Sequence, residues 1–181
     1  MGQAPAADRT TGAVDAPSDL RAVMRHFATG VCVVSTHRQE QHGRRHSALT
    51  VNSLTSVSLE PPLVSVSFRS DSGFLTDLTA ARVWGISLLG GGSEGLARLF
   101  ARPRAERDEA VRTQPAELGV RTGTLLFDAA GWMECRYRDH VVAGDHVMVI
   151  GEVVGLGVRG DTRSPPVFLQ GSFHRLEPPQ A

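Results

Sequence analysis

The chain contains no lysine. Its 19 cationic residues are all arginine, and they balance 19 acidic residues to a formal charge of zero. Without a lysine amine, neither Schiff-base chemistry nor a P-loop is available. Without net charge, no field draws the chain toward nucleic acid or an anionic membrane. Cysteine is scarce as well, with only Cys32 and Cys135. Two cysteines make neither a disulfide framework nor a metal knuckle, and they read as isolated buried thiols, a single disulfide being the alternative. No apolar run approaches the length of a membrane span, and the N-terminus lacks an apolar signal core, so a cytoplasmic location is expected.

What is present is one domain's worth of chain, 181 residues, enough to bury a core. Residues 1–17 are rich in Ala, Pro and Thr without periodicity and read as a disordered tail, with residues 178–181 a short tail at the other end. A helix is expected through "LRAVMRHFATG", capped by Ser18 or Asp19 and stopped by Gly30, with Leu20, Val23, Met24 and Phe27 on one face. "VCVVSTH" reads as a strand and "RQEQHGRR" as a polar hairpin loop. "SALTVNSLTSVSL" and "PLVSVSF" are the next strands, turning at Glu60-Pro61-Pro62. In the second of them Leu63, Ser65 and Ser67 share one face and Val64, Val66 and Phe68 the other.

"SGFLTDLTAA" has the pattern of a short helix with Ser72 as cap, "RVWGISLL" of a strand, and "SEGLARLFARP" of a helix ended by Pro103. Residues 102–122 are rich in Arg and Glu with poor periodicity, a surface excursion. From "LLFDAAG" to "SFHRL" strand follows strand, with turns at Ala143-Gly144-Asp145, Gly160-Asp161 and Ser164-Pro165-Pro166. About six to eight strands with three or four helices, and no regular β-α alternation, point to a mainly β fold: an antiparallel barrel with peripheral helices.

Several motifs resemble sites without the context a site needs. Gly90-Gly91-Gly92-Ser93-Glu94-Gly95 fits G-x-G-x-x-G, but the residues that should supply the next strand and its acid are the polar "RDEAVRTQPAELG". A Gly-rich turn is the reading that remains. His37, His42 and His46 cluster beside a polar loop, where exposure to water accounts for them without a metal. Glu106, Asp108 and Glu109 belong to a solvated charged run. No nucleophile elbow or H-E-x-x-H is present.

The stretch "HSALTVNSLTSVSLEPPLVSVSF" (46–68) is different, because short hydroxyl side chains crowd an otherwise apolar, strand-forming segment. Buried without partners, each would be costly. Either they lie on an exposed sheet face or they hold a ligand. Short donors and backbone N–H groups suit the polar edge of an isoalloxazine ring, and Ser, Thr and the following Arg69 suit a phosphate.

Four blocks, in order, resemble the flavin-reductase-like domain of two-component flavin-dependent monooxygenase systems. They are "FATGVCVVST" (27–36), "LTVNSLTSVSLEPPLVSVSFRSDS" (49–72), "LARLFA" (96–101) and "MECRYRDHVVAGDHVMVIGEV" (133–153), followed by a closing "PPVFLQGSFHRL". The resemblance runs from about residue 20 to residue 176 and implies a split β-barrel of the FMN-binding type over residues 18–177, Greek-key-like and homodimeric. It implies FMN or FAD as cofactor, NADH or NADPH as co-substrate, and hydride transfer from nicotinamide C4 to flavin N5. A partner monooxygenase would receive the reduced flavin by diffusion, with no nucleic acid or membrane involved.

Position by position, the resemblance places Thr50, Val51, Asn52, Ser53, Ser56, Val57 and Ser58 around the ring and ribityl chain. Ser67, Arg69 and Ser72 fall toward the phosphate, Phe100 and Ala101 close over it, Phe173 stands where the family often has Tyr, and His146 faces the nicotinamide. The chain departs from the family pattern at His46-Ser47-Ala48-Leu49, at "GGGSEG", at "ERDEA" after the central helix, and in "RTGTLLFDAAGWMEC". Those departures keep a second reading open, a protein of the same fold that retains its flavin for another redox step or only binds it. A third is a barrel with no flavin.

Overall fold

The computed structural model describes residues 18–41, 43–160 and 164–176. The expected terminal tails and His42 lie outside the described residues. A seven-stranded antiparallel sheet dominates, in the order β3-β2-β6-β9-β10-β5-β4. Its strands are β2 (Cys32–Glu40), β3 (Gly43–Val51), β4 (Thr55–Leu59), β5 (Pro62–Arg69), β6 (Val83–Leu88), β9 (Gly131–Ala143) and β10 (His146–Val158). The two edge strands, β3 and β4, adjoin in sequence but are not paired with each other, so the curved sheet is a split barrel. A three-stranded sheet of β1 (Thr29–Gly30), β11 (Pro166–Leu169) and β12 (Ser172–Arg175) lies apart from it, as does the pair β7 (Ala116–Leu118) and β8 (Leu125–Phe127).

The apolar run Val31–Val34 does not alternate because both faces of β2 are covered. Cys32 and Val34 belong to one core cluster with Val66, Phe68, Leu78, Trp84 and Val149. Val31 and Val33 face a second cluster with Ala48, Phe100 and Phe127. The first is closed by α2 (Gly73–Ala81), the second by α3 (Glu94–Phe100) and α4 (Arg104–Thr113). Phe68 and Phe74 stand 5.3 Å apart, Phe100 and Phe127 4.7 Å apart, separations typical of favourable aromatic pairs. Trp84 lies so close over Gly151 that a β-carbon there would meet its ring at 2.6 Å. Only glycine allows that approach.

Several hydroxyls in the core act as clips between neighbouring segments. Ser35 Oγ donates to the Leu125 carbonyl at 2.5 Å, Thr36 Oγ1 to Val83 at 2.7 Å, and Ser87 Oγ accepts the Phe127 N–H at 2.9 Å. The first and third tie β8 to β2 and β6, which the main-chain ladder leaves unconnected to it, and the second extends the β2–β6 pairing past its last rung. Two carboxylates are buried for the same purpose. Glu134 Oε1 accepts the N–H groups of Arg121 and Thr122 and the Thr122 hydroxyl, which fixes the turn between β7 and β8. Asp77 of α2 receives Arg104 at 2.9 Å, Arg45 at 3.3 Å, Arg38 at 3.6 Å and the Ser47 hydroxyl at 2.9 Å.

The structure departs from the sequence expectations at several boundaries. The first helix, α1 (Ser18–Met24), ends a turn and a half before Gly30, because Thr29 and Gly30 pair with β11. The hairpin loop after β2 is short, since its charged residues continue both strands to Glu40 and Gly43. Residues 52–54 interrupt what reads as one strand. Ser72 is the N-cap residue of α2 but makes no side-chain cap bond. Residues 104–113 are a helix rather than an irregular excursion, with Ala110 buried, Val111 packed on the second core, and the Arg107 guanidinium donating to the Ala48 carbonyl of β3.

Replacing Asp77 with Ala would leave three guanidinium groups facing one another. The expected loss of unfolding free energy is about 3 kcal/mol, measured by urea denaturation. Arg38→Ala, which removes the longest and most exposed of the three pairs, should change it by less than about 1 kcal/mol.

Candidate active site

The break between β3 and β4 opens a cavity of about 610 Å³. Residues 27–32 form one wall, residues 52–55 the other, and Met24, Leu88, Leu89 and Pro165 complete it. The first and second sequence blocks singled out above therefore meet in space. Most of the lining is apolar, with Thr29, Asn52, Ser53 and Thr55 as polar groups. Such a lining suits a flat heteroaromatic ring with one polar edge. The Asn52 amide donates to Thr29 Oγ1 at 3.2 Å, a bridge between the two walls.

The hydroxyls of this segment have two different fates. Ser47, Thr50 and Ser53 are engaged inside the protein. Ser47 donates to Asp77, Thr50 donates to the Ala97 carbonyl at 2.7 Å, and Ser53 bonds both the carbonyl and the N–H of Ser67. Thr55 and Ser56 are exposed on β4, and their hydroxyls make no hydrogen bond within the described residues; Val57 is exposed beside them and Ser58 half-buried. Val51 is buried in the first core cluster. Ser67 is half-buried at the join with Ser53.

Two residues farther along β5, Arg69 pairs with Asp71 at 2.8 Å, and its strand partner across the ladder is His146. Asp145 Oδ1 accepts from His146 Nδ1 at 2.8 Å, which fixes the imidazole and directs its other nitrogen away from that carboxylate. The hydrogen bond from His146, reinforced by its charge, holds the Asp145 carboxyl below the usual range. Ser72 is half-buried at the start of α2. Thus Arg69, Ser72 and His146 form one group, beyond the cavity lined by Asn52, Ser53 and Thr55.

Phe100 is fully buried against Phe127, so its side chain packs α3 onto the second core. Ala101 is exposed at the end of that helix. Phe173 is half-buried between Phe168 and the Arg98 guanidinium. The Gly90–Gly92 segment is a turn between β6 and α3, and β6 pairs with antiparallel neighbours on both sides, which is not the surrounding of a dinucleotide fingerprint.

A second concavity, about 650 Å³, lies at the far end of β3 and is walled by Arg44, Arg45, His46, Asp108 and Arg112 among others. Its charges answer one another, with Arg45 bound to Glu40, Asp77 and Asp108. His46 stacks edge-on to His37, its strand partner, with ring centroids 5.6 Å apart. Burial, together with His37 and Arg44, keeps His46 below the usual imidazole range. Among the described residues no group of three or more His, Cys, Asp or Glu is placed to hold a metal, and no helix is long and apolar enough to cross a membrane.

A model of the flavin reductase like domain family matches residues 24–177. The chain belongs to that family. An NADH-dependent FAD reductase of Streptomyces globisporus is 35% identical over 161 residues, covering 88% of this chain and 85% of that protein. The NADH:FAD oxidoreductase of Streptomyces globisporus C-1027, solved with NAD and FAD fragments, superposes with a TM-score of 0.79 at 33% identity, over 89% of this chain and 93% of that one. BorF, the flavin reductase component of a bacterial two-component tryptophan halogenase, gives the same TM-score and identity over 90% of this chain and 99% of its own.

In this flavin reductase family member, the cavity wall contains residues that carry no obvious chemistry in the sequence. Phe27, Ala28, Thr29 and Gly30 sit in a conspicuous block, but only the fold brings them opposite Asn52. Leu88, Leu89 and Pro165 give no local signal at all. Cys32 also lines the cavity, yet it is 2% exposed and its thiol is pushed up to about 12 by burial. Cys135 is fully buried and likewise pushed to about 12, by burial and then by the Glu134 charge. Both are free thiols.

Neither thiol should react with a disulfide reagent at pH 8 in the folded protein, whereas both should titrate at once in urea. Because folding raises these pKa values from 9.0 to about 12, their contribution to stability is complete below pH 9. It declines as the pH rises toward 12, and alkaline denaturation curves should record that decline.

Proposed function

We propose that this chain is an NAD(P)H-dependent flavin reductase that works as a homodimer in the cytoplasm and supplies reduced FMN or FAD to a partner monooxygenase. The observation that carries the reading is the cavity itself. It joins the two sequence blocks most characteristic of the family, and its apolar walls and single polar edge have the chemistry an isoalloxazine ring requires. When bound, the flavin supplies the acceptor for the hydride given up by the dihydronicotinamide.

The residues of this chain bind, orient and exclude water. Phe27, Leu54 and Leu88 offer apolar surface to the ring, while Asn52, Thr55 and Ser56 present the polar groups for its edge. Donors aimed at that edge favour the more negative, reduced form. Ser53 holds Ser67 in place from within, so it shapes the site rather than contacting the ligand through its hydroxyl. Arg69 and Ser72 lie on the phosphate side. His146, its ring fixed by Asp145, positions the nicotinamide, and no general base is required because the step is governed by the stacking of two rings at contact distance.

A second copy of the chain would cover apolar surface that is now exposed. Leu20, Val23, Met24 and Phe27 are 50–64% exposed beside the cavity, and a run of exposed apolar side chains marks an interaction surface. Light scattering should give twice the chain mass of 19.4 kDa; a monomer at micromolar concentration would refute the dimer.

The decisive assay is NADH and NADPH oxidation with FMN or FAD supplied in catalytic amounts and in excess. Turnover that rises with free flavin supports release of reduced flavin, and absence of turnover with every pair removes the reductase reading. His146→Ala should raise the nicotinamide KM or slow hydride transfer while leaving flavin affinity nearly unchanged. Kinetics identical to those of the parent would discard its role.

A further inference from the structure

Arg69, the cation on the phosphate side of the site, is already engaged by a carboxylate of its own chain. Its Nε donates to Asp71 Oδ1 at 3.0 Å and its Nη2 to Asp71 Oδ2 at 2.8 Å. One edge of the guanidinium is therefore fully taken, in the same fork geometry by which arginine grips a phosphate. The two side chains are 66% and 69% exposed, and an ion pair so open to water is weak enough to be displaced. Asp71 stands where a phosphate would bind.

The contact is built by a tight turn. The Ser72 N–H donates to the Arg69 carbonyl at 3.0 Å, which closes the chain over residues 69–72 and brings Asp71 back to Arg69. The Ser70 N–H donates to the Asp145 carbonyl at 2.9 Å, which ties this turn to the hairpin between β9 and β10. A second carboxylate comes near by that bond, since Asp145 holds His146 and lies close enough for its charge to act on Arg69. Asp71 first, through its hydrogen bond and charge, and then Asp145 keep Arg69 in its charged form. One guanidinium answers to two carboxylates.

A ligand phosphate reaches the fork only in the fraction of molecules in which Asp71 has released it, and the apparent affinity falls by that fraction. The displaced carboxylate stays beside the phosphate and repels it. A phosphate monoester carries about two negative charges at neutral pH, whereas the same phosphate within a dinucleotide carries a single one. We infer that Asp71 is a specificity-determining residue for the flavin: it competes for the Arg69 fork and so weakens the hold on a flavin phosphate, above all on the terminal phosphate of FMN. The inference rests on the flavin reductase reading and names what sets flavin choice and release within it. A reductase that gives up its reduced flavin gains from such a competitor, because departure of the product often limits turnover.

The test compares the full chain with Asp71→Asn and Asp71→Ala by fluorescence titration with riboflavin, FMN and FAD. Loss of the competing charge should tighten FMN about three- to tenfold. FAD should gain by a smaller factor, and riboflavin, which has no phosphate, should bind as before. The KM for FMN in NADH oxidation should fall together with its Kd. In an Arg69→Gln background the gain from Asp71→Asn should shrink, because the fork for which Asp71 competes is gone.

FMN affinity that is unchanged or weaker in both Asp71 variants overturns the inference, as does a gain shared equally by riboflavin. Equal gains for FMN and FAD overturn the selectivity, and a change confined to the NADH KM overturns the assignment to flavin. In each of these cases flavin binding and NADH consumption by the parent leave the reductase reading intact. A parent protein that binds no flavin and consumes neither NADH nor NADPH overturns both. Circular dichroism of the two variants, each altered on an exposed turn, guards against a folding defect.

Discussion

Asp77 is the interaction on which the arrangement of helices around the sheet depends. It sits on α2, nearly inaccessible to water, and gathers side chains from β2, β3 and α4. A carboxylate buried at that depth is tolerated only with several charged or hydrogen-bonding partners, and three arginines and a serine provide them. Asp108 and Glu40 then balance the remaining positive charge through Arg45 and Arg104. The cluster therefore ties α2, on one face of the sheet, to α4, on the other, around the end of β2–β3 away from the cavity. That leaves the opposite end of β3 free to part from β4.

The same logic of satisfying polar groups separates structural from available hydroxyls. Thr50 and Ser53 find acceptors at residues 97 and 67, far away in sequence but adjacent in the fold. Thr55 and Ser56 do not, and remain exposed. A segment with surplus hydroxyl groups is thus half scaffold and half site. The scaffold half keeps β3 against α3 and residue 53 against β5, and so sets the position from which the other half reaches a ligand.

Much of this was legible in the sequence. The strand after residue 30, the pair β5–α2, the strand β6, the helix α3, the strand-rich last third, the turns at Pro61 and Gly144, and the Gly-rich turn before α3 follow from local chemistry. The block resemblance indicated a split barrel, which the family match and the structural relatives bear out. The helix α4 was not legible because it offers the second core only Ala110 and Val111, adjacent residues that make no apolar stripe, and reaches β3 through the Arg107 guanidinium. The early end of α1 depends on a pairing with β11, more than a hundred residues away. Within the candidate site, the residue types at 50, 53 and 55 are much alike, and only their distant partners distinguish a clip from a contact. Phe100 illustrates the same limit, since its place in the second core depends on Phe127 rather than on its neighbours in α3.

The gap between β3 and β4 has a further consequence. A small barrel whose ladder is complete has an interior that side chains fill or that holds at most one small ligand. Here the ladder stops at Val51 and resumes at Thr55 on a different neighbour, leaving three residues of chain outside the sheet. Of those residues Ser53 and Leu54 still hold to β5 and the core, while Asn52 can change in kind without disturbing a rung of the ladder. Ligand preference is thus written largely outside the ladder that holds the sheet together, and a lineage built on this frame could exchange one substrate for another at a few positions while its sheet stayed the same.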